Sequence, residues 1–145
     1  MARILVIDDD EVQRRLIRHV LVKQSHHVTD AEDGTQGIRL QKNQGFDLVV
    51  TDIIMPGMDG IETVRELICL YPALKIIAIS AHRRVYLDAA KKFGATETLA
   101  KPFTPEELVG CVENCLHSGH AQNESAGYGN TDGMAEFLPQ PVFQD

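Results

Sequence analysis

Four short stretches carry the residues able to do chemistry: Asp8-Asp9-Asp10-Glu11, Thr51-Asp52, Ser80-Ala81-His82 and Lys101-Pro102. Brought together, they would supply two or three carboxylates from one loop, one from another, a hydroxyl and an ammonium. Carboxylates crowded within a few ångströms repel and raise one another's pKa unless a cation lies among them. All-oxygen donors with open positions suit Mg²⁺, with Mn²⁺ as the alternative. Mg²⁺ commonly keeps waters and shares phosphate oxygens. Lys101 adds a point charge and Ser80 a short donor. An acceptor carboxylate, a divalent cation and a lysine match phosphoryl transfer onto an aspartate, because cation and lysine neutralise charge spread over the phosphoryl oxygens.

Singly, each stretch has an ordinary explanation. Acids favour the first turn of a helix, Asp52 could serve a turn, Lys101 a solvated surface and Ser80 a helix cap. Their joint placement decides the matter, and that depends on the elements that carry them. Ile4–Ile7 is a short apolar run ending in acids. Val12, Leu16 and Val20, with Ile17 and Leu21, recur at helical spacing. His27–Ala31 is a weaker strand, and Asp33–Lys42 a short helix. Phe46–Thr51 reads as a buried strand, and the Pro and two Gly of Met55–Gly60 as a loop. Ile61, Val64, Ile68 and Tyr71 mark an amphipathic helix stopped by Pro72. Lys75–Ile79 is a strand, Arg83–Phe93 a helix stopped at Gly94, and Thr96–Ala100 a strand. Thr104-Pro105-Glu106-Glu107 is a helix start, with a capping Thr, Pro at the first position and acids at the positive end of the dipole. Leu108, Val112, Cys115 and Leu116 form that helix's apolar stripe.

Five near-continuous apolar strands alternating with five helices predict an α/β fold, (βα)5, with a doubly wound parallel sheet covered on both faces. The flavodoxin-like order 2-1-3-4-5 sets strands one, three and four side by side. The reactive stretches all follow strands, at the carboxyl edge where such sheets bind ligands.

The chain has 145 residues, enough for one ordinary domain. Its net charge of −7 lacks the basic footprint of a nucleic-acid binder. No apolar run approaches the roughly 20 residues of a membrane helix, and MARILVIDDD is not a secretory leader. A cytoplasmic protein without direct nucleic-acid or membrane binding is expected. Three cysteines, Cys69, Cys111 and Cys115, give an odd count that argues against a disulfide framework. Cys111 and Cys115 are four apart, with His117 and His120 beyond, but such residues are far more often half-buried helix positions than metal ligands. The segment from His117 to Asp145 has no Lys or Arg but four Gly and two Pro beside several Asn, Gln and Ser, so the reading is a domain at 1–118 and a tail at 119–145. Two aromatics and two prolines in Glu136–Phe143 suit docking of that tail in extended form.

Over residues 2 to about 117 the sequence resembles the receiver domains of two-component response regulators, and in length the stand-alone, chemotaxis-type ones. The matching pieces are ILVIDDDE at 4–11, VVTDIIMPGMDG at 49–60, IIAISA at 76–81 and AKPF at 100–103. The resemblance implies that Asp52 accepts a phosphoryl group from the phosphohistidine of a sensor histidine kinase or phosphotransfer protein. It implies that Asp8 and Asp9, the Ile54 carbonyl and Asp52 hold Mg²⁺, that Ser80 and Lys101 contact the phosphoryl oxygens, and that Lys101-Pro102 is cis. Ile54 and His82 would flank the pocket and govern water's access to it. The domain would catalyse its own phosphorylation and slow dephosphorylation without being a turnover enzyme. A downstream protein would bind the face of helix 4, strand 5 and helix 5, and homodimers occur among such domains. Three residues before the lysine the family often has an aromatic; here it is Thr98, with no ring to bury. Two other readings exist. A pseudo-receiver interaction module would be expected to lose the acids that this chain retains. A phosphatase of the aspartyl-phosphate type would carry D-x-D where Ile54 stands.

Overall fold

A computed structural model describes residues 1–55, 59–81 and 84–126, with side chains at 84, 85 and 118–126 outside the description. The elements are β1 (Arg3–Ile7), α1 (Glu11–Lys23), β2 (His27–Ala31), α2 (Gly34–Gln44), β3 (Leu48–Asp52), α3 (Gly60–Leu70), β4 (Lys75–Ser80), α4 (Arg84–Lys92), β5 (Glu97–Ala100) and α5 (Pro105–Ala126). All strand pairs are parallel and the sheet order is β2-β1-β3-β4-β5, the expected doubly wound arrangement.

The strands read as continuous apolar runs because both faces are covered. Leu5, Ile7, Val49, Ile76 and Ala78 face one core with Ile53, Val64, Leu67 and Ala90. Alternation turns Ile4, Val6, Leu48, Val50, Ile77 and Ile79 to the other face, where Ile17 and Leu21 of α1 and Leu108, Val112 and Cys115 of α5 are equally buried. The stripe on α1 is narrower than its periodicity predicts. Ile17 and Leu21 carry the packing, while Val12 is 77% and Leu16 51% exposed. Covering one face of a sheet takes only part of a helix's circumference, and these two lie outside that part.

Helix starts follow local chemistry. Asp10, Asp33 and Asp59 cap α1, α2 and α3 by accepting backbone N–H groups of the first turn. At α5, the Glu107 N–H donates to Thr104 Oγ1 at 3.0 Å and the Thr104 N–H to Glu107 Oε1 at 2.8 Å, a reciprocal capping box. Gly94, with φ 120°, ends α4 in a conformation that side chains resist.

The chain divides into Met1–Cys115 and Leu116–Asp145. Helix α5 continues to Ala126, so the change of composition near Ser118 does not end it. The docking expected of Glu136–Phe143 concerns residues outside the described ones.

Candidate functional site

Register builds the site. Ile7 of β1 is level with Thr51 of β3, Asp52 with Ile79 of β4, and Ser80 with Ala100 of β5. One step further along each strand, the chain reaches Asp8, Asp52, Ser80 and Lys101 on one edge of the sheet. The edge lies between β1 and β3, where the winding reverses, the position at which such sheets open to a ligand.

The first acidic turn is tightly organised. The Asp8 N–H donates to the Ala31 carbonyl at 3.1 Å, and the Asp10 N–H to Asp8 Oδ1 at 2.9 Å. Asp10 itself faces away and caps α1 through Oδ1, so this acid serves the helix and not the cluster. Asp8 is buried and Asp9 exposed. Asp8, Asp9 and Asp52 each bring one carboxylate oxygen within 4.8 Å of the others.

Asp52, 8% exposed, receives the Lys101 ammonium on Oδ2 at 3.3 Å. The Lys101 N–H donates to the Ser80 carbonyl at 3.0 Å, anchoring β5's end to β4's. The Lys101-Pro102 peptide is cis, as the resemblance implies. Ser80 is buried, and Ile54 lies just beyond β3 with its side chain 45% exposed. The sequence stretch Pro56-Gly57-Met58 and His82 lie outside the described residues.

Electrostatics follow from burial. Loss of solvent pushes the Asp8 carboxyl up to about 6, helped by the charges of Asp52 and Asp9 and opposed by the Asp10 N–H and Lys101. Burial also raises Asp52, opposed first by Lys101 and then by the backbone N–H groups of Ile53 and Ile54. Three carboxylates here share one nearby ammonium. Such oxygen-only donors with surplus negative charge fit Mg²⁺, which stays partly hydrated and would relieve the repulsion.

Two features, the glycine that opens α3 and a pairing between α1 and β2, were not evident from sequence. Gly60 was read as a loop residue, but it opens α3. A Cβ there would collide with the Asp52 carbonyl oxygen and Ile53 Cα, while the Gly60 N–H donates to the Ile53 carbonyl at 2.7 Å. The close approach of two backbones demands glycine, and no local pattern announces it. The capping role of Asp10 was readable, as an acid directly before a periodic helix. The pairing of Arg14 with Asp30 was not, since 16 residues separate them. Away from the site, Cys111 is half-buried and Cys115 buried on α5, and burial pushes both thiols up to about 11.

The family model for the response regulator receiver domain matches residues 4–113. The chain is 37% identical over 120 residues to the response regulator receiver protein CpdR of Brucella abortus, covering 80% of this chain and 98% of that one. It is 34% identical over 118 residues to the chemotaxis protein CheY of Bacillus subtilis, covering 79% and 98%. The fold superposes on a response regulator receiver domain protein from Clostridium thermocellum with a TM-score of 0.78 at 29% identity, over 84% of this chain and 99% of that one.

Proposed function

Since the chain belongs to the response regulator receiver domain family of phosphoacceptor two-component signalling, we propose that Asp52 is its phosphoacceptor. The donor is the phosphohistidine of a sensor histidine kinase or a phosphotransfer protein. The observation that carries this reading is the setting of Asp52: a nearly buried carboxylate with the Lys101 ammonium 3.3 Å from Oδ2 and two further acids alongside.

Asp8 and Asp9, with Asp52 and the Ile54 carbonyl, would hold Mg²⁺. Bound there, the ion would supply charge neutralisation for the phosphoryl oxygens. The remaining work falls to the chain. One Asp52 oxygen forms a bond to phosphorus as the donor's P–N bond breaks and the imidazole leaves. Lys101 pairs with a phosphoryl oxygen, and the Ser80 hydroxyl donates to another. The acyl phosphate adds about one negative charge where Asp52 stood. Movement of Ser80 toward that charge would reshape the face of α4, β5 and α5, where a downstream protein binds. Thr98, half-buried on β5, leaves that face without the family's common aromatic. Exposed Val12 and Leu16 flank the acidic turn and offer an incoming donor an apolar foothold. Among the described residues no helix is long and apolar enough to cross a membrane, which supports a cytoplasmic location.

Intact mass after incubation with Mg²⁺ and acetyl phosphate, beside Asp52→Asn, tests the assignment. One added phosphoryl group, Mg²⁺-dependent and absent from the variant, is expected. No adduct, together with an unchanged spectrum on beryllofluoride titration, would favour a phosphorylation-independent interaction module.

A further inference from the structure

The acidic turn is also held from outside, by a residue that contributes no ligand atom. Arg14, in the first turns of α1, has a side chain only 12% exposed. Its Nη1 donates to the Asp8 carbonyl at 2.8 Å and its Nε to Asp30 Oδ2 at 2.9 Å. The two bonds go to different elements. Asp8 follows the last paired residue of β1, and Asp30 belongs to β2, paired in register with Val6. Beyond Ile7 the β1–β3 ladder has ended. The guanidinium therefore supplies a donor to a carbonyl outside the paired register, and it ties α1, β1 and β2 together at the base of the acidic turn.

An arginine this buried must be paired and hydrogen-bonded to be tolerated. Asp30 meets that need, with Arg18 Nη1 also approaching it at 3.5 Å. The pairing has a second consequence. With Nε committed to Asp30 and Nη1 to a neutral carbonyl, neither of these bonds engages the carboxylates of Asp8, Asp9 or Asp52. Both bonds leave the carboxylate oxygens of the cluster to other partners.

We infer that Arg14, oriented by Asp30, is a positioning residue for the cation-binding turn, fixing the Asp8 backbone so that the Asp8 and Asp9 carboxylates are preorganised for Mg²⁺. This rests on the reading of Asp8 and Asp9 as cation ligands. Groups that orient ligands from behind commonly change metal affinity by 10–100-fold when lost. A fork spanning two acceptors is a demand that lysine, with its compact ammonium, does not meet.

The experiment is calorimetric titration of Mg²⁺ into the full chain and into Arg14→Met, Arg14→Lys and Asp30→Asn, with thermal unfolding in chelator alongside. Arg14→Met should bind Mg²⁺ about 10-fold more weakly. Its phosphorylation rate by acetyl phosphate, extrapolated to saturating Mg²⁺, should stay within about twofold of the parent, since the acceptor site is untouched. Arg14→Lys should remain nearly as weak as Arg14→Met. Asp30→Asn should weaken binding in the same direction, and it carries the test if the Arg14 variants do not fold. Variants that melt earlier yet bind Mg²⁺ like the parent would overturn the inference and leave a merely structural ion pair. Full recovery by lysine would overturn it in favour of simple charge. A parent chain that takes up no Mg²⁺ would overturn the cation reading itself, a result distinct from both.

Discussion

Asp8→Asn in the metal-free protein should be more stable than the parent, in a pH-dependent way. Burial lifts the Asp8 carboxyl from 3.8 to about 6, so the folded state disfavours its charged form. Below pH about 4 the group is protonated in both states and costs nothing. Between about 4 and 6 the folded protein retains a proton that the unfolded chain has released, so stability falls as pH rises. Above about 6 the whole penalty stands. A rise of roughly two units, at 1.36 kcal/mol per unit, makes it about 3 kcal/mol. Asparagine keeps the oxygen that accepts from the Asp10 N–H and carries no charge, so the change isolates the electrostatic cost. Subtracting the two proteins cancels groups common to both, except that Asp52 is also relieved of a charged neighbour. Urea unfolding of both proteins in chelator from pH 4 to 8 is the assay. The gain should grow from near zero to about 3 kcal/mol at pH 7.5. Excess Mg²⁺ should erase much of it by stabilising only the parent, by about 2.7 kcal/mol at a hundredfold over Kd. A gain that is flat with pH, or a variant less stable at pH 7.5, would refute the reasoning.

Lys101→Met should slow phosphorylation by acetyl phosphate about 100-fold, the order seen when one preorganised charge is removed from a transition state. It should also raise the Asp52 carboxyl further, since Lys101 is the foremost group holding it down, moving the rate optimum to higher pH. Gly60→Ala should cost about 3 kcal/mol by denaturant unfolding, because the new Cβ meets backbone that cannot swing aside; an unchanged midpoint would mean that α3 shifts freely. In thiol titration of the folded protein at pH 8, exposed Cys69 should react first. Cys115, buried and held protonated up to about 11, should wait for unfolding.

Much of the fold was legible because the chain's local signals agree with one another. Apolar runs such as Leu48–Val50 and Ile76–Ile79 mean strands buried on both faces. Asp33, Gly94 and Thr104-Pro105 mark helix ends through backbone hydrogen bonding and backbone shape, which act within a few residues. The order of Asp8, Asp9, Asp52, Ser80 and Lys101 along strand ends was likewise written in sequence, and with it the chemistry their types allow.

Tertiary structure decided what depends on distance between separated segments. Only register brings three carboxylates within 4.8 Å and Lys101 to Asp52. Only packing leaves Asp8 buried and Asp9 exposed, and so gives adjacent identical residues different electrostatics. Periodicity marked Val12 and Leu16 for the core, but one helix face sufficed and they remained in solvent. Sequence by itself named the acids and the order of the strands. Which acid lost its water, which one capped a helix, and which arginine reached behind the turn were settled by the sheet, because desolvation and hydrogen bonding depend on neighbours that chain order does not specify.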